Sequence, residues 1–103
     1  MYIVILVTTP NKKEARRIAS GLLKKKLAAC INIIDGAESL FWWQGKLERS
    51  TEALMVIKSK KEKLAAVTKL IKSMHSYGVP EIIALPITGG EKKYLRWIDG
   101  ILR

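Results

Sequence analysis

The chain has 103 residues, 49% hydrophobic and 27% charged, with a formal charge of +10. That length makes one domain, residues 1–103, with enough material for a single core. One cysteine excludes an internal disulfide framework, and no run approaches the ~18 apolar residues of a helical membrane span, so no membrane partner is expected.

Residues 2–8, "YIVILVT", are almost continuously apolar and β-branched, which predicts a strand buried on both faces. The stretch has no basic residue before it and no small-residue cleavage site after it, so it reads as part of the fold and not as a leader. With the lone cysteine, this sets the expectation of a cytoplasmic, unprocessed protein. Asn11 stands three residues before Glu14, the spacing of an N-cap with its returning acid. Ala15, Ile18, Ala19, Leu22 and Leu23 then recur at helical spacing, predicting a first helix that ends near Lys26.

"AACINII" (28–34) predicts a second strand, which "SLFWW" (39–43) continues after an irregular Asp35-Gly36. Gln44-Gly45 has the length and the glycine of a tight hairpin loop, and "ALMVI" (53–57) lies in the returning strand. Ser59 and Glu62 have the spacing of a capping box for a second helix carrying Leu64, Val67, Leu70, Ile71 and Met74 on one face. Gly78 is placed to close that helix in a left-handed C-cap. "VPEIIALPI" (79–87) predicts a fourth strand, and Pro80 and Pro86 restrict it to an edge because proline donates no ladder hydrogen bond. A short terminal helix carries Tyr94, Leu95, Trp97, Ile98, Ile101 and Leu102.

The order β-α-β-β-α-β predicts an α+β, ferredoxin-like antiparallel sheet with an additional C-terminal helix. The first and third strands have the longest apolar runs and suit the centre. With both main helices on one face, the other face and the aromatic hairpin of Phe41, Trp42 and Trp43 lie uncovered, and a second copy of the chain is expected to cover them.

The blocks "KLAACINII", "SLFWWQGKLE" and "HSYGVPEIIALPITGGEKKYLRWI" resemble, in order and spacing, the CutA divalent-cation-tolerance family over nearly the whole chain. The resemblance implies a homotrimer whose hairpins reach across to neighbouring subunits, in an architecture similar to that of the PII signalling proteins. It also implies binding of divalent metal ions of the copper type.

His75 matches the family's histidine at the end of the second helix, with Ser76 in place of the family's proline and Tyr77 retained. Imidazole suits copper and zinc, but a helix-end histidine also serves terminal carbonyls. Cys30, where the family often has cysteine, is a soft donor for Cu(I) on the face away from the helices, or a small buried hydrophobe. Val7 and Met74 stand where some relatives carry a further cysteine and histidine. Glu81, Tyr77, Tyr94 and Trp97 lie in matching blocks and are read as lining an intersubunit cleft, with Glu81 either a ligand or a partner for Lys46 in a pairing that fixes subunit register.

Catalysis has no support in one histidine, one cysteine and no nucleophile elbow, and no glycine pair has phosphate-loop spacing. The alternative to a divalent-cation tolerance protein is a PII-like sensor or scaffold, binding an anionic small molecule or a protein partner in its clefts. Nucleic acid ranks last, because the basic residues lie on every helix and no aromatic platform accompanies them.

Overall fold

The structure, a computed structural model, describes all residues from Met1 to Arg103. In chain order it comprises β1 (Tyr2–Thr9), α1 (Lys12–Lys24), β2 (Cys30–Trp43), β3 (Lys46–Lys60), one 3-10 turn (Lys61–Lys63), α2 (Leu64–Met74), β4 (Ile82–Pro86) and α3 (Lys92–Ile101). The sheet runs β2-β3-β1-β4 with every neighbouring pair antiparallel. The expected ferredoxin-like order is present, with the two apolar strands central and the proline-bearing strand at an edge.

Alternation along β1 sends Ile3, Ile5, Val7 and Thr9 inward, and Ala53, Met55 and Ile57 do the same on β3. They meet Ala15, Ile18, Ala19 and Leu22 of α1 and Val67 and Ile71 of α2 in one core. Fully burying a side chain such as Ile5, Ile57 or Leu22 contributes roughly 1.5–3 kcal/mol, so this layer dominates subunit stability. α1 and α2 approach closely at Gly21, where an added Cβ would meet Met74 Sδ at 3.2 Å. Met74 is thus a packing residue of the helix contact, as Val7 is of the core.

α1 starts on the expected Asn11 cap, with Asn11 Oδ1 accepting from the Glu14 N–H at 2.8 Å, but the expected returning acid is absent, because the Glu14 carboxylate accepts from Ser76 instead. The hairpin also forms as expected. Gln44 (φ 50°) and Gly45 (φ 78°) are both left-handed, the geometry that matches the twist of the flanking strands. Opposite Ala53, the extra residues Asp35 and Gly36 (φ 75°) make a bulge that shifts the register of β2 by one. Both hairpin strands then run on beyond the core to a tip at Gln44-Gly45.

Two expected helix caps are absent. Ser59 does not cap α2. β3 runs on to Lys60 because Lys60 pairs with Tyr2, and ladder pairing outweighs the cap. Ser59 Oγ instead donates to the Leu27 carbonyl at 2.7 Å, fully buried, tying β3 to the loop after α1. Ser59→Ala is therefore expected to cost about 1–3 kcal/mol by stranding that carbonyl. An unchanged denaturation midpoint would contradict this. Gly78 is not a left-handed cap either: α2 ends at Met74, and His75 (φ −78°, ψ 139°) leads the chain away in extended form.

α3 lies on the opposite face of the sheet, at the Tyr2 end, and buries Ile98 and Leu102 against Ala29. Its Asp99 accepts a hydrogen bond from Tyr2 Oη and pairs with Lys60 Nζ at 2.8 Å. The outer face is therefore covered at one end only. Beyond α3 it presents Leu6 and Val56, both half-buried, with Ile34 and Ile83 about half exposed, and it leads into a hairpin on which Leu40, Trp42 and Leu47 are each at least 70% exposed.

Candidate functional site

The chain leaving α2 crosses the end of β1 and assembles a buried polar cluster. Hydrogen bonds hold both ring nitrogens of His75. Nε2 donates to the Thr8 carbonyl at 2.7 Å, and Nδ1 accepts from the Tyr77 N–H at 3.0 Å. That second bond requires a lone pair on Nδ1, so the imidazole is neutral with its proton on Nε2. Glu14 Oε2 lies 3.4 Å from Nδ1, too long to compete. It accepts instead from the Ser76 N–H and Oγ, each at 3.0 Å. The Tyr77 ring stacks at a tilt on His75, centroids 4.7 Å apart, and its hydroxyl donates to Glu52 Oε2 at 2.7 Å.

Burial, and then the bond to Glu52, pushes the Tyr77 phenol up to about 12 from its ordinary 10.0. A raised folded-state value means that the native state keeps this proton after the unfolded chain has lost it. The contribution is whole below pH 10 and is lost as pH rises toward about 12. Tyr77→Phe should remove this decline from the alkaline stability profile. Parallel profiles for variant and wild type would contradict the assignment.

Tyr77 and Glu52 form the floor of a cleft of about 820 Å³, within the size range of ligand sites. Its walls are the hairpin, through Glu38, Leu40, Phe41, Trp43, Glu48 and Arg49, and the loop through Gly78, Val79 and Glu81. Four of the chain's nine acidic residues line it with a single cation, Arg49. On a chain of net charge +10, this cleft is locally negative.

Of the residues expected from sequence to line a cleft, the structure brings together Glu81 and Tyr77. Lys46 is not among them: it pairs with Trp43 beside the hairpin turn, and Arg49 is the cation in the cleft. Tyr94 and Trp97 pack on each other on α3, centroids 5.5 Å apart, toward the other end of the sheet. Cys30 is there too, on the outer face as expected, with Lys58 Nζ 4.0 Å from its thiol. Burial, and then a hydrogen bond with Cys30, raises the Tyr94 phenol above its ordinary value. Phe41 and Trp43 line the cleft, while Trp42 points away from it.

His75 and Cys30 are therefore not neighbours. Thr8 is opposite Leu54 and Cys30 is opposite Lys58, which separates them by four strand residues, about 13 Å along the sheet. No three His, Cys, Asp or Glu side chains of one subunit are arranged to hold a metal ion. With both imidazole nitrogens occupied, His75 has no lone pair free to ligate a metal ion in this arrangement.

Sequence reading missed Glu38, Glu48 and Glu52. The signal for two of them was present, since counting outward from the Gln44-Gly45 turn pairs Phe41 with Glu48 and Ala37 with Glu52.

A model of the CutA1 divalent ion tolerance protein family matches residues 3–100. The chain is 50% identical to the divalent-cation tolerance protein CutA of Archaeoglobus fulgidus over 96% of each chain. It is 48% identical to a chloroplastic CutA 1 of Oryza sativa over 98% of this chain and 57% of the rice protein. It likewise spans about half (56%) of a chloroplastic CutA of Arabidopsis thaliana. Among solved structures, the periplasmic divalent cation tolerance protein CutA of Archaeoglobus fulgidus superposes with a TM-score of 0.97 at 48% identity, covering 100% of both chains. CutA1 of Oryza sativa superposes at 0.96 and 47% identity, over 99% of this chain and 94% of that one. These names overturn the expected cytoplasmic location: similar chains are described as periplasmic and chloroplastic, and neither the lone cysteine nor the apolar first strand discriminates among such compartments.

Proposed function

The chain belongs to the CutA1 divalent ion tolerance family, and from that premise we propose that it works as a homotrimer that binds divalent cations in the acidic cleft, as a binding protein and not as an enzyme. The observation that carries this reading is the gathering of Glu38, Glu48, Glu52 and Glu81 around one cleft of a strongly basic chain. An anionic metabolite, the PII-like alternative, would meet four carboxylates and one guanidinium there, and charge disfavours it.

The trimer is supported by two exposed apolar surfaces of different shape, the outer sheet face and the projecting hairpin. A hairpin seated on a neighbour's sheet face is a heterologous contact, which closes by forming a ring, and three copies make the smallest such ring. Because one subunit offers no converging set of three ligands, the cation's remaining partners are water or donors from a neighbouring copy. Carboxylate and phenol oxygens suit harder ions such as Mn(II) or Mg(II), whereas Cu(I) prefers a thiolate such as Cys30.

Titration with Mn(II), Zn(II) and copper separates these readings. Saturable Mn(II) or Zn(II) binding is expected, weakened about tenfold or more when Glu48→Gln and Glu81→Gln remove two cleft charges, and unchanged in Cys30→Ser. Binding that survives the glutamate changes and is lost in Cys30→Ser would overturn the cleft assignment.

A further inference from the structure

The charge of the chain is unevenly distributed over the fold. The segment from Lys12 to Lys26 and the segment from Lys61 to Met74 contain eleven of the nineteen Lys and Arg residues, against two of the nine acids. The remaining residues hold eight cations against seven acids. Because α1 and α2 pack on the same face of the sheet, nearly the whole surplus belongs to one layer. Its two acids do not offset it. Glu14 is buried on Ser76, and Glu62 is engaged by the N-terminus and Lys60. The subunit's ion pairs take their cations from the N-terminus and Lys60, and none involves any of the eleven.

We propose that this two-helix face is a docking surface for the phosphate backbone of double-stranded nucleic acid, engaged without reading bases. Several observations select that partner. The 13 residues of α1 span about 20 Å, over which a duplex presents about twelve phosphates, a match for the charge density of the layer. Neither segment contains an aromatic residue, so the face has no platform for stacking unpaired bases. Leu23 is the one large apolar side chain exposed on the two helices, so the face lacks the apolar anchor by which proteins insert into a bilayer surface. Between the helices lies a groove of about 450 Å³ edged by Lys25 and Lys69, concave where a phosphate rail is convex. The face is opposite the one assigned to assembly, so trimer formation leaves it free. The charges look scattered along the chain, and the topology collects them.

The test is fluorescence anisotropy with a labelled duplex of about 20 base pairs in two unrelated sequences, between about 50 and 200 mM salt. With about five phosphates engaged, the logarithmic salt slope should be about −4 to −5, and affinity should fall by two to three orders of magnitude over that range. The two sequences should agree within about threefold, as expected for backbone contacts alone. The triple change Lys25→Glu, Lys69→Glu and Lys72→Glu should weaken binding about thirtyfold or more, and the same three positions as Gln provide a milder second variant. The control Lys92→Glu, Lys93→Glu and Arg96→Glu on α3 changes net charge equally and should stay within about threefold of wild type. Equal losses in both triples, no binding at the lowest salt, or tighter binding to phosphatidylserine vesicles than to duplex would each overturn the proposal.

Discussion

Leu6→Glu is expected to yield a folded subunit that no longer assembles. Leu6 is on the outer face of β1, flanked by Val56 of β3 and Ile83 of β4 in the sheet register. In a lone subunit this position is half-buried on the uncovered face, so a carboxylate there still reaches water and the core beneath it, from Ile5 and Val7 inward, is untouched. Circular dichroism should therefore match the wild type. In the proposed trimer the same carboxylate is buried against apolar side chains without a partner, which costs about 3–5 kcal/mol at each contact, or about two to four orders of magnitude in its association constant. A ring suffers that loss at every contact, so sedimentation should report monomer at concentrations where the wild type is assembled. Trp43→Ala, which removes one hairpin ring and leaves the sheet face intact, should give a smaller shift. An unchanged mass for Leu6→Glu would mean that the outer face is not the interface.

The second large effect concerns His75→Ala, expected to lower subunit stability by about 2–4 kcal/mol. The imidazole is buried and satisfies the Thr8 carbonyl and the Tyr77 N–H together. Alanine leaves both without partners and removes the ring on which Tyr77 stacks. The denaturation midpoint, compared at equal protein concentration because the proposed assembly would contribute to it, measures the loss. Divalent-ion affinity should persist in the folded variant, since Glu38, Glu48 and Glu52 are held by the hairpin strands and not by His75. Unchanged stability with lost ion binding would restore His75 as a ligand and remove it as the anchor of the chain reversal.

The architecture was legible because the apolar periodicities of β1, α1 and β3, the Asn11 cap and the Gln44-Gly45 turn all point to the same fold. The Ser59 cap misled because a four-residue pattern cannot sense that Lys60 still has a partner on β1. Gly78 misled for a related reason: His75 finds its partners across the sheet and takes the chain out of the helix three residues earlier. The acidic cleft was not legible as a motif. Its glutamates come from two hairpin strands and from a loop near β4, and only the bulge at Asp35-Gly36 and the reversal at His75 bring them together. The gathering of basic residues on one layer was hidden in the same way, since linear spacing shows charge on every helix without showing that two of those helices share a face.

The proposed function requires that assembly complete the cation site. The direct measurement is titration of wild-type protein and of monomeric Leu6→Glu with the same divalent ion under identical salt and pH, following heat or paramagnetic signal to saturation. Saturable binding is expected in the assembled protein and only weak, non-saturating binding in the monomer, whose own cleft offers no converging set of three ligands. Equal affinity and stoichiometry in the two would place the site wholly within one subunit and contradict this requirement.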